Sequence, residues 1–189
     1  MSDPEIRIIQ ERLVYESRYG RLYDDFVEFL PQGATGTYLR WEWEAPYSIA
    51  VLPILLTGEI ILVESFRHSA RGTVLEVPKG FGRTGTAPVQ IAHEELAEEV
   101  GLQSTEIRSA GMIYTDPAFA YAPFHLFVAQ GCSGTQARPE ESEVIVRSMK
   151  YALSEVPGLL AAGTVNDAVT VLLLQQYLLG GLNHEEADS

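Results

Sequence analysis

Residues 78–102 read PKGFGRTGTAPVQIAHEELAEEVGL, and four glutamates, Glu94, Glu95, Glu98 and Glu99, crowd the second half of the stretch. An α-helix turns about 100° per residue. From about Pro88 to Val100 that spacing gathers Val89, Ala92, Leu96 and Val100 into one apolar stripe, with Gly101 as the stop. Glu95, Glu98 and Glu99 then fall on the opposite side within an arc of about 100°, with Glu94 just outside it. The pairs 95/98, 95/99 and 94/98 are helix neighbours, and like charges so placed destabilise a helix unless a cation is near. No Lys or Arg lies between Gly85 and Ser104 to offset them. Two readings fit this segment: a solvated acidic face, or carboxylate oxygens gathered for a hard divalent cation such as Mg²⁺ or Mn²⁺.

The chain around it has 189 residues, 46% hydrophobic and 21% charged, which suits a folded domain, alone or with a smaller appendage. A net charge of −13 argues against nucleic acid or an anionic membrane as a partner. The single cysteine, Cys132, forms no internal disulfide, is expected to be a buried small apolar residue, and suits a reducing compartment. The opening MSDPEIRIIQER is charged and lacks the apolar core of a secretory signal. The longest apolar run, IAVLPILL at 49–56, falls far short of the roughly 20 residues a membrane helix needs, so a cytoplasmic location is expected.

Short strands are expected at RLVYESR, RLYDDFVEFL and GTYLRWEWE within residues 12–46, the last with clear alternation. Further strands are expected at 48–55, 59–66, 73–78, 106–114, 123–130 and 143–150. The run NDAVTVLLLQQYLLG at 166–180 reads as an apolar helix capped by Asn166 or Asp167 and stopped at Gly180-Gly181. The pattern is α+β, a mixed sheet with two substantial helices. A boundary near Ala45-Pro46 divides an N-terminal antiparallel β unit, 1–46, from a main domain, 47–189. Trp41 and Trp43 read either as core or as interface residues.

The stretch resembles the Nudix box, G-x5-E-x7-R-E-U-x-E-E-x-G-U with U aliphatic. Gly80, Glu95, Leu96, Glu98, Glu99, Gly101 and Leu102 match it in order and spacing. LVESFRHSARGTVLEVPKG at 62–80, YTDPAFAYAPFHLFVAQG at 114–131 and GTVNDAVTVLLLQQYL at 163–178 are similar to the flanking segments of ADP-ribose pyrophosphatases. The resemblance covers most of residues 12–180 and implies a Nudix-type α/β/α sandwich. Two positions depart from the box: Thr86 stands where the family has a glutamate, and Glu94 where it has an arginine. That arginine is implied to help hold the helix glutamates, and Arg83, just before the helix, is the candidate to replace it by pairing with Glu94.

The resemblance further implies that Glu95, Glu98 and Glu99, with the backbone carbonyl of Lys79, hold Mg²⁺ or Mn²⁺; the Lys79 side chain by itself reads as simply solvated. Arg67 matches a basic residue that faces the substrate's phosphates, or is a surface arginine. Glu76 either faces the site or ends its strand. Glu98 and a glutamate of the late loop 137–144, where Glu140, Glu141 and Glu143 are candidates and Glu141 and Glu143 are favoured, would serve catalysis. Phe119 and Tyr121 read as a stacking surface for a base or ribose, or as core. The four histidines show no ligand spacing. The function implied is a metal-dependent pyrophosphohydrolase that cleaves a nucleotide diphosphate, an ADP-X compound, into AMP and X-phosphate. It would work as a homodimer built through the N-terminal strands. A ligand-sensing scaffold or a repurposed, non-hydrolytic Nudix enzyme are the alternatives.

Overall fold

The run SIAVLPIL becomes the strand around which everything else packs. In the computed structural model, which describes residues 5–134 and 145–180, Ser48–Leu55 is buried on both faces. A strand of this kind lies inside a sheet covered on each side, which is why its apolar residues run on without alternation. The strands in chain order are β1 (Glu5–Gln10), β2 (Leu13–Ser17), β3 (Gly20–Leu30), β4 (Ala34–Trp43), β5 (Ser48–Leu55), β6 (Glu59–Arg67), β7 (Gly72–Glu76) and β8 (Lys79–Phe81). They continue with β9 (Leu102–Gln103), β10 (Glu106–Tyr114), β11 (Ala120–Tyr121), β12 (Pro123–Gly134) and β13 (Ile145–Ala152). Helices α1 (Pro88–Val100), α2 (Val156–Ala161) and α3 (Ala168–Leu178), with a 3-10 turn at Leu153–Glu155, complete the elements of the described residues.

Strand β5 lies between β12, which runs parallel to it, and β6, antiparallel, while β8 adds a short antiparallel pairing along its first half. Side chains alternate along it. Ile49 and Val51 face a core shared with Ile91, Ala92 and Leu96 of α1, and Ala50, Leu52 and Ile54 face one shared with Val169, Leu173 and Leu174 of α3. The result is a helix–sheet–helix sandwich, as expected. Pro53 has no N–H to donate, and the β5–β12 register slips just beyond its partner Ala129, where the ladder accommodates the missing bond. Cys132 is buried, its thiol pushed up in pKa first by desolvation.

A second sheet holds β1, β3 and β4 in that order, with β2 on β3 and β11 pairing parallel with β4. Trp41 is partly buried in it over Gly20, and Trp43 remains 37% exposed, its ring 5.5 Å from that of Trp41. Neither belongs to the two main cores. Strand β1 lies outside the strands expected from the sequence, and all six of its residues are exposed. No helix among the described residues is long and apolar enough to cross a membrane.

One helix expectation needs correction. Helix α1 has the expected bounds and the Gly101 stop, in the left-handed conformation at φ 61° with its N–H on the Leu96 carbonyl. Its buried residues, however, are Ile91, Ala92, Leu96 and Glu99, and Val89 is exposed. The helix is rolled so that its glutamate arc overlaps the buried face instead of opposing it. Helix α3 runs to Leu178 with Leu179 as C-cap, and Gly180, at φ 71°, stops it as expected; of the two expected caps it uses Asp167, whose side chain accepts the Thr170 amide at 2.8 Å.

Candidate active site at the glutamate helix

The roll of α1 carries its glutamates onto the segment before it. Gly80 sits directly beneath Glu95: a Cβ at Gly80 would lie 1.7 Å from Glu95 Oε1. The glycine is there because the carboxylate occupies the space of a side chain. One residue earlier, the Lys79 amide reaches Glu99 Oε1 at 3.5 Å, and Glu99 is buried. Glu94, Glu95 and Glu98 are half-buried. The solvated acidic face is therefore not what the structure contains.

The loop between β8 and α1 pairs with the helix at one of the two altered positions, as expected. Arg83 Nη2 forms an ion pair with Glu94 Oε2, and Gln90 Nε2 donates to Glu94 Oε1 at 3.3 Å. The hydrogen bond to Glu94 is the main cause raising the Arg83 pKa, and the charges of Glu94 and Glu98 add to it. Thr86, at the other altered position, contributes its backbone: its carbonyl accepts the Tyr47 hydroxyl at 2.5 Å. The Gly82 amide donates to the Tyr47 carbonyl at 2.8 Å. No local signal in the sequence marks Tyr47. In a double-mutant cycle, Arg83→Ala and Glu94→Ala should be non-additive, with the double variant's metal-dependent activity within about twofold of the weaker single variant. Activities that simply multiply would show that the pair does not act as a unit.

Behind the Lys79–Gly80 peptide lies a row of alternating charges. Arg67 Nε donates to Glu76 Oε1 at 2.7 Å, Lys79 Nζ to Glu76 Oε2 at 2.9 Å, and Lys79 Nζ lies 2.5 Å from Asp167 Oδ2. The Glu76 side chain is 2% exposed and that of Lys79 12%, so Lys79 is not solvated as expected; two carboxylates hold it inside. Glu76 does more than end its strand, for it joins Arg67 to Lys79. Burial acts to raise the Asp167 pKa, but the charge and hydrogen bond of Lys79 and the bonds from Thr170 outweigh it and hold the carboxyl below its ordinary value. The sequence marks Asp167 only as a candidate helix cap; its neighbourhood to Lys79 is a tertiary fact.

The remaining candidates fall elsewhere. Phe119 and Tyr121 line a cleft of about 530 Å³ with Tyr38, Arg40, Trp41 and Trp43. A second cleft, of about 390 Å³, shares Trp43 and Pro46 with it and reaches Tyr19, Phe81 and Arg83 beside the glutamate helix. The Trp43 and Phe81 rings are 5.5 Å apart. Glu140, Glu141 and Glu143 lie outside the described residues.

Among the described residues, no three His, Cys, Asp or Glu side chains form a ready-made metal cage. The donors present nonetheless fit Mg²⁺ or Mn²⁺. They are hard oxygens, two of the carboxylates lie against one short backbone segment, and Mg²⁺ keeps several waters and takes substrate phosphates beside one or two carboxylates. Glu95, Glu98, Glu99 and the Lys79 carbonyl are the residues that would hold it.

A helix–sheet–helix sandwich with a glycine-cradled glutamate helix at the end of a short strand defines a Nudix-type protein. The chain is 30% identical over 180 residues to the ADP-ribose pyrophosphatase of Bacillus subtilis (strain 168), a match covering 95% of this chain and 96% of that protein. It is 28% identical over 176 residues to the methanol dehydrogenase activator of Bacillus methanolicus, covering 93% and 94% of the two chains. Its fold matches the crystal structure of an ADP compounds hydrolase with a TM-score of 0.79 at 21% identity, over 96% of this chain and 97% of the other. No protein-family model matches the sequence. The chain belongs to the Nudix hydrolase superfamily, near its ADP-ribose pyrophosphatase branch.

Proposed function

We propose that this protein is a Mg²⁺- or Mn²⁺-dependent pyrophosphohydrolase that cleaves an ADP-X compound, of the ADP-ribose, NADH or diadenosine polyphosphate class, into AMP and X-phosphate. The observation that carries this reading is the placement of Glu95 over Gly80 and of Glu99 against the Lys79 amide. That arrangement sets two carboxylates against one short backbone segment on a chain of net charge −13. The names of the Bacillus subtilis relative and of the structural neighbour support the ADP-linked substrate class.

In this reading Glu95, Glu98, Glu99 and the Lys79 carbonyl hold the cation, which when bound neutralises diphosphate charge and makes water more acidic. Arg67, half exposed with its other side on Glu76, faces the phosphates. Phe119 stacks on the base or ribose, and Glu141 or Glu143 takes the proton of the attacking water. Water adds to one phosphorus of the diphosphate and the bridging P–O bond breaks, leaving a phosphate on each product. The single cysteine fits a cytoplasmic setting.

We further assign residues 1–46 as a dimerisation unit and 47–189 as the Nudix domain. Ile6, Ile8, Leu13 and Val14 are all exposed on β1 and β2, and burial against a second copy would remove that apolar surface from water. Light scattering at micromolar concentration should return twice the 20.9 kDa chain mass; a monomer mass would contradict the assignment.

The function is tested by following AMP release from ADP-ribose, NADH and diadenosine triphosphate, with GMP release from GDP-mannose as the comparison, in Mg²⁺ and in Mn²⁺. Metal-dependent turnover of the adenylated compounds supports the reading. Folded protein that binds a nucleotide tightly without turning any of them over supports instead a ligand-sensing domain. The altered box positions and the relative named as an activator favour that second reading.

A further inference from the structure

We propose that Asp167 and Glu76 are positioning residues: they clamp the Lys79 side chain between them and so hold the Lys79–Gly80 peptide where Glu95 and Glu99 meet it. The inference rests on reading Glu95, Glu98 and Glu99 as cation ligands. Its geometry starts from strand alternation. Lys79 pairs with Ala50, and Gly80 with Ile49. Ala50 belongs to the core under α3 and Ile49 to the core under α1. The Lys79 side chain therefore leaves toward α3, away from the glutamate helix, while its peptide stays under that helix.

A lysine ordinarily carries its charge out to water on a flexible stem. Here the ammonium stops inside, 2.9 Å from Glu76 Oε2 and 2.5 Å from Asp167 Oδ2. Asp167 is itself fixed, because the same oxygen accepts the Thr170 amide at 2.8 Å and the Thr170 hydroxyl at 2.6 Å. The Thr170 hydroxyl oxygen in turn accepts the Val77 amide at 3.1 Å. Val77 and Lys79 are thus both tied to the first turn of α3, and the Pro78 carbonyl between them accepts the Val51 amide of β5 at 3.0 Å. Residues 77–80 are held from the sheet and from α3 at once, which fixes the backbone presented to Glu95 and Glu99. Glu76 has a second duty, since its other oxygen accepts Arg67 Nε at 2.7 Å. One buried carboxylate therefore links the peptide under the glutamates to the arginine proposed to face the phosphates.

The test uses Asp167→Asn, which keeps an oxygen for the Thr170 amide but removes the charge that holds Lys79. Binding of Mn²⁺ alone, followed by electron paramagnetic resonance, should weaken by about tenfold, the lower end of what outer partners of a metal site contribute. Amide exchange of the peptide spanning 77–82 should accelerate in metal-free protein, while kcat at saturating Mn²⁺ stays within a few-fold of the parent. Glu76→Gln should weaken Mn²⁺ binding and also raise the nucleotide KM, because Arg67 loses its partner. A folded Asp167→Asn protein with parental Mn²⁺ affinity and parental exchange at 77–82 overturns the proposal. If that variant does not fold, the pair Lys79→Met with Asp167→Asn removes one charge of each sign, and parental Mn²⁺ affinity in it overturns the proposal equally. Failure of the parent to hydrolyse any nucleotide would count against the hydrolase reading alone, and exchange at 77–82 would still decide the clamp.

Discussion

Glu98→Gln and Glu99→Gln, made singly, are each expected to lower kcat/KM for AMP release by about 10²- to 10³-fold, while leaving the protein folded. Removing one carboxylate charge from a divalent site withdraws transition-state stabilisation of several kcal/mol, and each 1.4 kcal/mol is about a factor of ten in rate. Folding should survive because glutamine has nearly the same shape. At position 99 its side-chain oxygen can still accept the Lys79 amide, now 3.5 Å from Glu99 Oε1. The two positions should differ in secondary effects. Glu99 is buried, so its glutamine variant brings a carboxamide N–H₂ into a tight space, whereas Glu98 is half-buried and should tolerate the change more easily. Steady-state kinetics with Mg²⁺ and with Mn²⁺, beside thermal unfolding, separate the two effects. Parental turnover in a folded Glu98→Gln protein would remove this residue from the proposed chemistry.

Adding a methyl group at Gly80 or at Gly82 should produce opposite lesions, although the glycines are two residues apart. At Gly80 the new Cβ meets the outer atoms of Glu95: Oε1 at 1.7 Å, Cδ at 2.2 Å and Cγ at 2.8 Å. A glutamate side chain can swing aside through its own torsions, so Gly80→Ala should unfold at nearly the parental temperature. The carboxylate leaves its place, however, and half-saturating Mn²⁺ should rise by about tenfold or more. At Gly82 the Cβ meets the Tyr47 ring at 2.2 to 2.4 Å. That ring cannot swing freely: it packs edge-on against His125 with centroids 5.3 Å apart, and its hydroxyl is held by the Thr86 carbonyl. Overpacking of this kind costs about 1–3 kcal/mol, and in a chain of this size each kcal/mol lowers Tm by about 2–4 °C. Calorimetry and Mn²⁺ titration of both variants check the contrast. A Gly80→Ala protein with parental Mn²⁺ affinity would show that Glu95 does not need its present position.

The helix and its neighbours were legible from local signals. Pro88 to Val100 could be read from apolar spacing and the glycine that follows, and β5 from an apolar run bounded by polar residues. The cap of α3 was legible only as Asn166 or Asp167, and the bond from the Thr170 amide assigns it to Asp167. Strands β8 and β11 were not legible, because three and two residues carry too little pattern to separate from loop. The exposed face of α1 was misjudged for a related reason: a stripe of Val89, Ala92, Leu96 and Val100 is a fair apolar face, but helix periodicity says nothing of what packs against it.

The sequence by itself determined the order of the glutamates, the glycine beneath them and the swapped charges at Arg83 and Glu94, since these are relations between near neighbours in the chain. Only the tertiary structure decided that Glu99 is buried, that Lys79 is drawn inside and that Asp167 stands beside it. Asp167 lies 88 positions after Lys79, and it stands beside Lys79 because β5, buried on both faces, sets α1 and α3 against opposite sides of one strand. Charges so far apart in sequence interact only after apolar burial has fixed the layers, and no local pattern records that step.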